Sequence, residues 1–292
     1  MSSNKMLKKI KYGMKFIPDK MYLQIYYFLR FKKFINFKNP KTYNEKLNWL
    51  KLNDRNPLYT KLVDKFEVKK YVANLVGEEY IIPTLGVWEH FDDIDFSKLP
   101  NSFVLKCTHD SEGLVIVKDK SKLNKKEAKE KIENCLKCNF YYIGREWPYK
   151  NVKPRIIAEE YKEDKKEKEL RDYKFFCFNG EPKAMFIASD RSIDETKFDY
   201  FDLEFKHLDL IQHYPNSSEQ LKKPQNFEKM IELSQILSKG LKHARIDFYE
   251  VDGKLFFGEI TFFHFSGFMP FKPEKWDIKF GEWLNLNNKW LF

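Results

Sequence analysis

The chain has 292 residues, which is long enough for one large or two intermediate domains and for the core of an enzyme. Aromatic residues make up 17% of it, and this content excludes a disordered chain even though the mean hydropathy is -0.62. The formal net charge of +10 accompanies a general excess of lysine, so it carries little functional information. A positive surface still attracts anions such as nucleotides, acidic polysaccharides or anionic lipid, and we expect no nucleic-acid partner.

The first 60 residues are expected to form a short helical segment. Thr42 followed by Glu45 has the spacing of a capping box at the start of a hydrophobic helix. The apolar run at 21–29 lies among lysines and is too short to span a bilayer. Docking of this amphipathic helix on the protein's own core is favoured, and a peripheral contact with the inner membrane surface is the alternative.

From residue 80 onwards the pattern changes to short strands. Apolar segments predict strands at 81–87, 102–106, 113–117 and 155–161 and on both sides of an Asn-Gly turn, at 172–178 and 184–188. Helices are predicted at 124–138, where Asn124 is the expected cap, and at about 226–243. The order predicts an α+β fold with antiparallel sheets and flanking helices.

The four cysteines lie at 107, 135, 138 and 177, too few and too scattered for a disulfide scaffold. Their number is typical of a reducing compartment, so we expect a cytoplasmic protein. Cys135 and Cys138 have the spacing of half a zinc site, but the sequence has no second cysteine pair and an ordinary helix is favoured.

The C-terminal hairpin brings acidic side chains together. Arg245 and Asp247 share one face of a strand, and Glu259 and Thr261 share a face of the return strand. Mg²⁺ prefers oxygen ligands and is usually held by one or two carboxylates together with substrate phosphates. The two acids are therefore candidate magnesium ligands, with an ordinary charged hairpin as the alternative.

Three upstream features fit phosphate chemistry, although each alone has a plainer interpretation. A loop at 107–113 follows Lys106 and can fold its N–H groups over phosphates, or it is a solvated hairpin. Lys65 is either a second phosphate contact or a helix surface charge. The strand end at 159–161 can hold an adenine edge through backbone groups, or it is an edge strand with protective charges.

The order of these features resembles the ATP-grasp superfamily, and more closely the TupA-like ATP-grasp family of bacterial surface-polysaccharide gene clusters. The resemblance covers roughly residues 20 to 285, and it rests on NPKTYNEKLNWL at 39–50, Asp64-Lys65, FVLK at 103–106, AEEY at 158–161, DYKFFCFNG at 172–180 and GEITF at 258–262. It implies an α+β ATP-grasp fold, in which two lobes with antiparallel sheets clasp ATP after a short helical N-terminal segment. The implied domains are that segment at 1–60, a first lobe at 61–160 and a second lobe with the metal site at 161–292.

The resemblance also implies a role for each matched residue. The implied ATP contacts are Lys65, Lys106, His109, Ser111, Gly113, Glu159, Glu160 and Tyr161; the metal ligands are Asp247, Glu259 and Thr261; the catalytic cations are Arg245 and Lys174; and the substrate contacts are Arg191, Ser266 and Gly267. Two departures stand out. Thr261 replaces the asparagine of many ATP-grasp enzymes, which makes a second metal ion less expected, and Asp110 and Glu112 stand where glycines are expected.

The implied activity is that of an ATP-dependent carboxylate–amine ligase with ATP and Mg²⁺ as cofactors. ATP would phosphorylate a carboxylate, and an amine would attack the acyl phosphate to form an amide. The acceptor would be an acidic sugar or an amino acid, in the biosynthesis of a capsule or another cell-surface polysaccharide. Two alternatives remain: a glycosyltransferase, because Asp93-Ile-Asp95 matches a short metal-binding motif, and a weakly active polyanion-binding partner, because of Asp110, Glu112 and the basic N-terminus.

Overall fold

The computed structural model describes residues 10–110, 113–164, 170–189 and 196–287. The chain divides into two compact units, the described parts of Met1–Lys15 with Asn56–Lys162 and of Phe16–Arg55 with Glu163–Phe292. Each unit contains one antiparallel sheet with helices beside it, which confirms the α+β class. The domain limits 1–60, 61–160 and 161–292 stay a prediction about independently folding parts.

The helices and strands are numbered in chain order. Helices run over α1 (Asp19–Phe31), α2 (Tyr43–Asn53), α3 (Leu58–Val63), α4 (Glu67–Val76), α5 (Lys125–Leu136), α6 (Tyr141–Gly144), α7 (Phe227–Ser238) and α8 (Lys275–Trp283). Strands run over β1 (Thr84–Trp88), β2 (Phe103–Cys107), β3 (Leu114–Val117), β4 (Ile156–Glu160), β5 (Asp172–Phe178), β6 (Glu181–Ser189), β7 (Lys197–Phe201), β8 (His243–Val251) and β9 (Lys254–Thr261).

The first unit is built on a four-stranded sheet in the order β1-β4-β2-β3. Alternate residues of β2, namely Phe103, Leu105 and Cys107, are buried and pack with Ala128 and Ile132 of α5. The side chain of Asn124 accepts a hydrogen bond from the backbone of Glu127, so the predicted cap of α5 is confirmed. The sheet fixes the end of β4, where Glu159 lies.

The second unit is built on a five-stranded sheet in the order β7-β6-β5-β8-β9, with α7 packed on the central strands. The helix predicted at 226–243 ends earlier, at Ser238, because Gly240 turns the chain with a φ of 80° and β8 begins at His243. In β8 and β9, Asp247 pairs with Glu259 but Phe248 pairs with Phe257, so Gly258 is the extra residue of a β-bulge.

The helices of 16–55 belong to the second unit. The capping box of α2 is confirmed, since Thr42 Oγ1 accepts from the Glu45 N–H at 3.3 Å and Glu45 Oε2 accepts from the Thr42 N–H at 3.2 Å. Tyr22, Leu23 and Tyr27 of α1 are buried, which confirms that α1 docks on the protein's own core. Within the described ranges, no helix combines the length and the apolar character needed to cross a membrane.

Candidate active site

Strand register gathers five charged or polar side chains on the second sheet. Asp247 pairs with Glu259 of β9 on one side and with Lys174 of β5 on the other. Arg245, two residues before Asp247, pairs with Thr261. Because side chains two residues apart on a strand share a face, the predicted catalytic cations and the predicted metal ligands lie together.

Arg245 holds this cluster through its guanidinium group. Its Nε and Nη2 atoms donate to the two carboxylate oxygens of Asp247, both at 2.7 Å. Nη2 also donates to Glu259 Oε1 at 3.1 Å and to Thr261 Oγ1 at 3.0 Å. A bidentate arginine–carboxylate pair has a fixed geometry, so the guanidinium plane is set by Asp247.

Lys174 is the second cation of the cluster. Its Nζ donates to Asp172 Oδ1 at 3.1 Å and to Asp247 Oδ2. Asp172 is 1% exposed, and the sequence reasoning missed it. Its position two residues before Lys174 on the same strand was the signal that could have found it.

Burial sets the protonation of the cluster. Burial disfavours the charged guanidinium of Arg245, but Asp247 and Glu259 outweigh that effect, so the pKa of Arg245 is raised above its usual value. Burial also raises the pKa of Asp247, and Arg245 and Lys174 oppose the shift without cancelling it. The protonation state of each group in the cluster therefore depends on the charges of the other groups.

A hydrogen-bonded chain behind Arg245 was not expected from the sequence. Arg245 Nη1 lies 2.8 Å from His264 Nδ1, and His264 Nε2 lies 2.9 Å from Gln212 Oε1. Burial, followed by the charge of Arg245, holds the pKa of His264 well below its usual value. The neutral ring therefore accepts from Arg245 through Nδ1 and donates to Gln212 through Nε2. No local sequence pattern could have linked Gln212 to His264, 52 residues away.

The donor set of the cluster fits magnesium. Asp247, Glu259 and Thr261 offer only oxygen atoms, the ligand type that Mg²⁺ prefers. The carboxylates of Asp172, Asp247 and Glu259 lie together with the two cations Arg245 and Lys174. The side chain of Glu259 is 39% exposed and is thus open to solvent, whereas that of Asp247 is buried.

A second cluster lies on the sheet of the first unit, around Glu159. Lys106 Nζ lies 2.5 Å from Glu159 Oε2, and Lys69 Nζ contacts Glu159 Oε1. Burial alone would raise the pKa of Glu159, but Lys106 and Lys69 outweigh it and hold that pKa below its usual value. Lys69 also donates to Ile82 O at 2.7 Å and to Thr84 Oγ1 at 2.8 Å. Lys69 was missed because several lysines follow Lys65 in the sequence and nothing local selects one.

Lys65 lies apart from the Glu159 cluster, at the loop that follows β2. Its Nζ donates to the carbonyl of Asp110, and its backbone N–H donates to Thr108 O at 3.1 Å. The carboxylate of Asp110 turns inward, where Oδ1 accepts from the Gly113 N–H at 3.0 Å. His109 is buried, and its Nε2 lies 3.2 Å from Cys135 O. Lys65 therefore holds the loop backbone in this structure.

The thiols near this loop do not form the half zinc site weighed from the sequence. Cys138 lies just beyond the end of α5, with its Sγ 3.3 Å from Asn134 O, whereas Cys135 Sγ contacts Asp110. The ligand atoms of Cys107, Asp110 and Cys135 lie within 4.8 Å of one another and are buried. This packing fixes the base of the loop against α5.

The remaining predicted contacts have ordinary partners or lie outside the described residues. Glu160 pairs with Lys162 at 2.7 Å, and Lys118 Nζ lies 5.5 Å from the ring centre of Tyr161. Ser111 and Arg191, together with Glu112, fall outside the described residues.

Ser266 and Gly267 bind α2 through their carbonyls, which accept from Lys51 Nζ at 2.7 Å and from Asn48 Nδ2 at 2.8 Å. The acidic segment weighed as a glycosyltransferase motif forms a surface turn, in which Asp95 Oδ1 accepts from Ser97 Oγ at 2.6 Å.

Comparison with known families identifies the family of the chain. The model of the family described as TupA-like ATPgrasp matches residues 45–285. The chain belongs to the TupA-like ATP-grasp family. The ATP-grasp fold expected from the sequence is thereby confirmed, with its two antiparallel sheets. No match was found among curated proteins.

Solved ATP-grasp structures show distant similarity. D-Alanine–D-alanine ligase from Bacillus anthracis, in a complex with ATP, is 17% identical with a TM-score of 0.39, over 68% of this chain and 55% of that one. The ligase from Helicobacter pylori is 15% identical with a TM-score of 0.40, over 83% and 69%. D-Cycloserine synthetase DcsG is 16% identical with a TM-score of 0.41, over 78% and 71%. This chain therefore spans little more than half the length of the Bacillus anthracis enzyme.

Proposed function

We propose that this protein is an ATP-dependent ligase that joins a carboxylate to an amine through an acyl phosphate. The observation that carries the proposal is the cluster on β5, β8 and β9, in which Arg245 and Lys174 share the carboxylate of Asp247 beside Glu259. Phosphoryl transfer depends mainly on positioning and on neutralising charge. A cluster of fixed cations and oxygen ligands supplies both.

Each charged group has a distinct role in this proposal. Asp247, Glu259 and Thr261 would hold Mg²⁺, which would neutralise charge on the ATP phosphates. Arg245 faces the transferring phosphoryl group or the oxyanion of the tetrahedral intermediate, where a fixed positive charge stabilises developing negative charge. Lys174 adds a second fixed positive charge next to Asp247.

Lys106 would contact the ATP phosphates. Its ammonium group and that of Lys69 both contact Glu159, so their side chains are already ordered before a phosphate arrives. Preordered charges lose less conformational entropy when they bind a ligand. Glu160 and Tyr161 then follow at the end of β4, where we propose that the adenine lies, and the 107–113 loop covers the phosphates.

The reaction balances without a nucleophilic side chain. A carboxylate oxygen of the substrate bonds to the γ-phosphorus of ATP, and ADP leaves with the electrons of the broken P–O bond. The amine nitrogen then bonds to the acyl carbon, inorganic phosphate leaves, and the amine gives up a proton to solvent. We propose an acidic sugar or amino acid as the acceptor, in the cytoplasmic steps of capsule or other surface-polysaccharide synthesis, since the family resemblance favours it; a positive surface is compatible with such anionic substrates.

The test is acceptor-dependent release of ADP. The protein is incubated with Mg²⁺ and ATP, and uronic acids and amino acids are each paired with a panel of amines. We expect ADP and phosphate in equal amounts with the correct pair, and loss of both in Glu259→Gln and Lys106→Ala. Glu89→Gln is the matched control, because Glu89 is ion-paired with Lys153 on the surface and should leave turnover unchanged. Retained turnover in both site variants, or no nucleotide binding by the wild-type protein, would overturn the proposal.

A further inference from the structure

Helix α1 is apolar on two sides, and in the described part of the chain only one of them packs on the protein. Met21, Ile25 and Phe28 follow one another at helical spacing and are 51%, 38% and 40% exposed. Leu29, beside this stripe, is 58% exposed. The side of the helix that carries Tyr22, Leu23 and Tyr27 is buried, so docking on the core does not account for the outer stripe.

Two aromatic residues outside the helix extend the exposed area. Phe34 is 67% exposed, and its ring stacks on Phe28 with the centroids 4.8 Å apart. Phe16, just before α1, is 82% exposed. We call the whole set the α1 surface, which consists of Phe16, Met21, Ile25, Phe28, Leu29 and Phe34. Exposed apolar side chains concentrated in one segment mark an interaction site more often than singly scattered ones do.

The chain around the α1 surface is strongly basic. Residues 16–38 contain five basic side chains and one acid, Asp19. Lys20, Lys32 and Lys38 are exposed, and Lys20 Nζ lies 5.8 Å from the ring centre of Phe37, so the segment after the helix lies against α1. Positive charge therefore borders the apolar stripe.

We propose that the α1 surface binds the headgroup region of an anionic lipid bilayer. The apolar side chains enter the boundary between headgroups and acyl chains, and the lysines meet the lipid phosphates. A second copy of this chain is a poorer occupant, because a two-fold interface would bring two basic surfaces together. This inference does not depend on the ligase activity. It adds a location at which that activity would act.

The experiment measures binding of the full chain to vesicles by co-sedimentation. Vesicles of phosphatidylcholine with phosphatidylglycerol are compared with vesicles of phosphatidylcholine alone, and we expect binding only to the anionic ones. Exchanging Lys20, Lys32 and Lys38 for Gln should weaken binding roughly 150-fold, since each lysine near an anionic surface contributes about a factor of five. Ile25→Ser with Leu29→Ser should weaken it by roughly a further factor of 10 or more.

A matched control distinguishes binding through the α1 surface from nonspecific adsorption to vesicles. Ile116→Ser removes a 56% exposed apolar side chain from β3 and should leave vesicle binding unchanged. Circular dichroism reports whether the α1 variants keep their helices. Absence of binding to anionic vesicles, equal binding to neutral ones, or equal binding by the Ile25 and Leu29 variant would overturn the proposal. So would a lipid-free dimer that the same variant dissociates, because the second copy would then be the occupant. ADP release on soluble substrates is read separately, so either proposal can fail alone.

Discussion

Glu159→Gln tests whether the buried charge cluster of the first unit is organised as described. Glu159 is 5% exposed, and the side chains of its partners, Lys69 and Lys106, are only 13% and 22% exposed. The substitution keeps the shape of the side chain and removes the charge. Two poorly hydrated ammonium groups then remain without their shared carboxylate.

The expected loss of stability is large. Removing one partner of a buried ion pair costs about 3–5 kcal/mol, because the other charge stays buried and uncompensated. Natural domains have unfolding free energies of about 5–15 kcal/mol, so this loss is a substantial share. Urea unfolding of the variant and the wild type at neutral pH measures it. In Glu89→Gln, the control from the same unit, the lost ion pair is exposed and no resolvable change is expected.

Two further measurements make this prediction sharper. Lys69→Met combined with Glu159→Gln should destabilise less than the sum of the single changes, by about 0.5–3 kcal/mol of coupling. Because the pKa of Glu159 is depressed in the folded state, its contribution is present above the usual glutamate pKa of about 4.3 and is lost as the pH falls below it. A loss under about 1 kcal/mol at neutral pH would refute the reasoning, since it would mean that both lysines are well solvated.

Three other predictions follow from the second unit. Burial lowers the pKa of His243 to about 4, so the unfolding free energy should fall by up to about 3 kcal/mol as the pH drops from 6.5 to 4. Urea titrations at several pH values should show a weaker pH dependence of this free energy in His243→Gln. An unchanged pH dependence in the variant would contradict the prediction. His264→Asn should lower kcat for ADP release by about tenfold with little change in KM for ATP, because Arg245 Nη1 loses its contact with His264 and only the pair with Asp247 then holds that side of the guanidinium. An unchanged kcat would exclude the positioning role of His264. In Gly281→Ala the new Cβ would lie 2.2 Å from Lys41 O, so thermal unfolding should show a loss of about 1–3 kcal/mol in stability. Gly13→Ala is the control and should change the stability little, because no atom of the described residues lies within 4 Å of its new Cβ.

The acidic hairpin could be predicted from the sequence because its information is local. Strand alternation places Arg245 with Asp247 and Glu259 with Thr261, and the register of β8 and β9 brings the two pairs together. The same reasoning could not select Lys69, because which lysine of α4 reaches Glu159 depends on how the helix packs beside β4. Contacts that tertiary packing creates leave no periodic trace in the sequence.

Hydrogen bonds between residues far apart in the sequence likewise could not be predicted from the sequence. His264 follows β9 within a 3-10 helix, His264–Gly267, that includes two residues with positive φ, Phe265 and Ser266. Nothing in the composition of that segment predicts this backbone, which turns the imidazole towards Arg245. Family resemblance supplies candidate residues, whereas the orientation of Arg245 is visible only in the fold.

The bulge at Gly258 divides the last hairpin into two parts with different structural requirements. Between the bulge and the end of β9, the pairing of Asp247 with Glu259 must be kept, and Gly258 is the extra residue that lets Phe257 pair with Phe248 while Glu259 pairs with Asp247. Beyond the bulge, the strands meet at the Asp252–Gly253 turn, where Gly253 O accepts from Asn226 Nδ2 at 3.0 Å and the Asp252 N–H donates to Asp164 Oδ2 at 2.9 Å. An insertion at this turn, such as an epitope or a fluorescent reporter, would therefore have to keep these two contacts, whereas the register of the acidic end is set on the other side of the bulge.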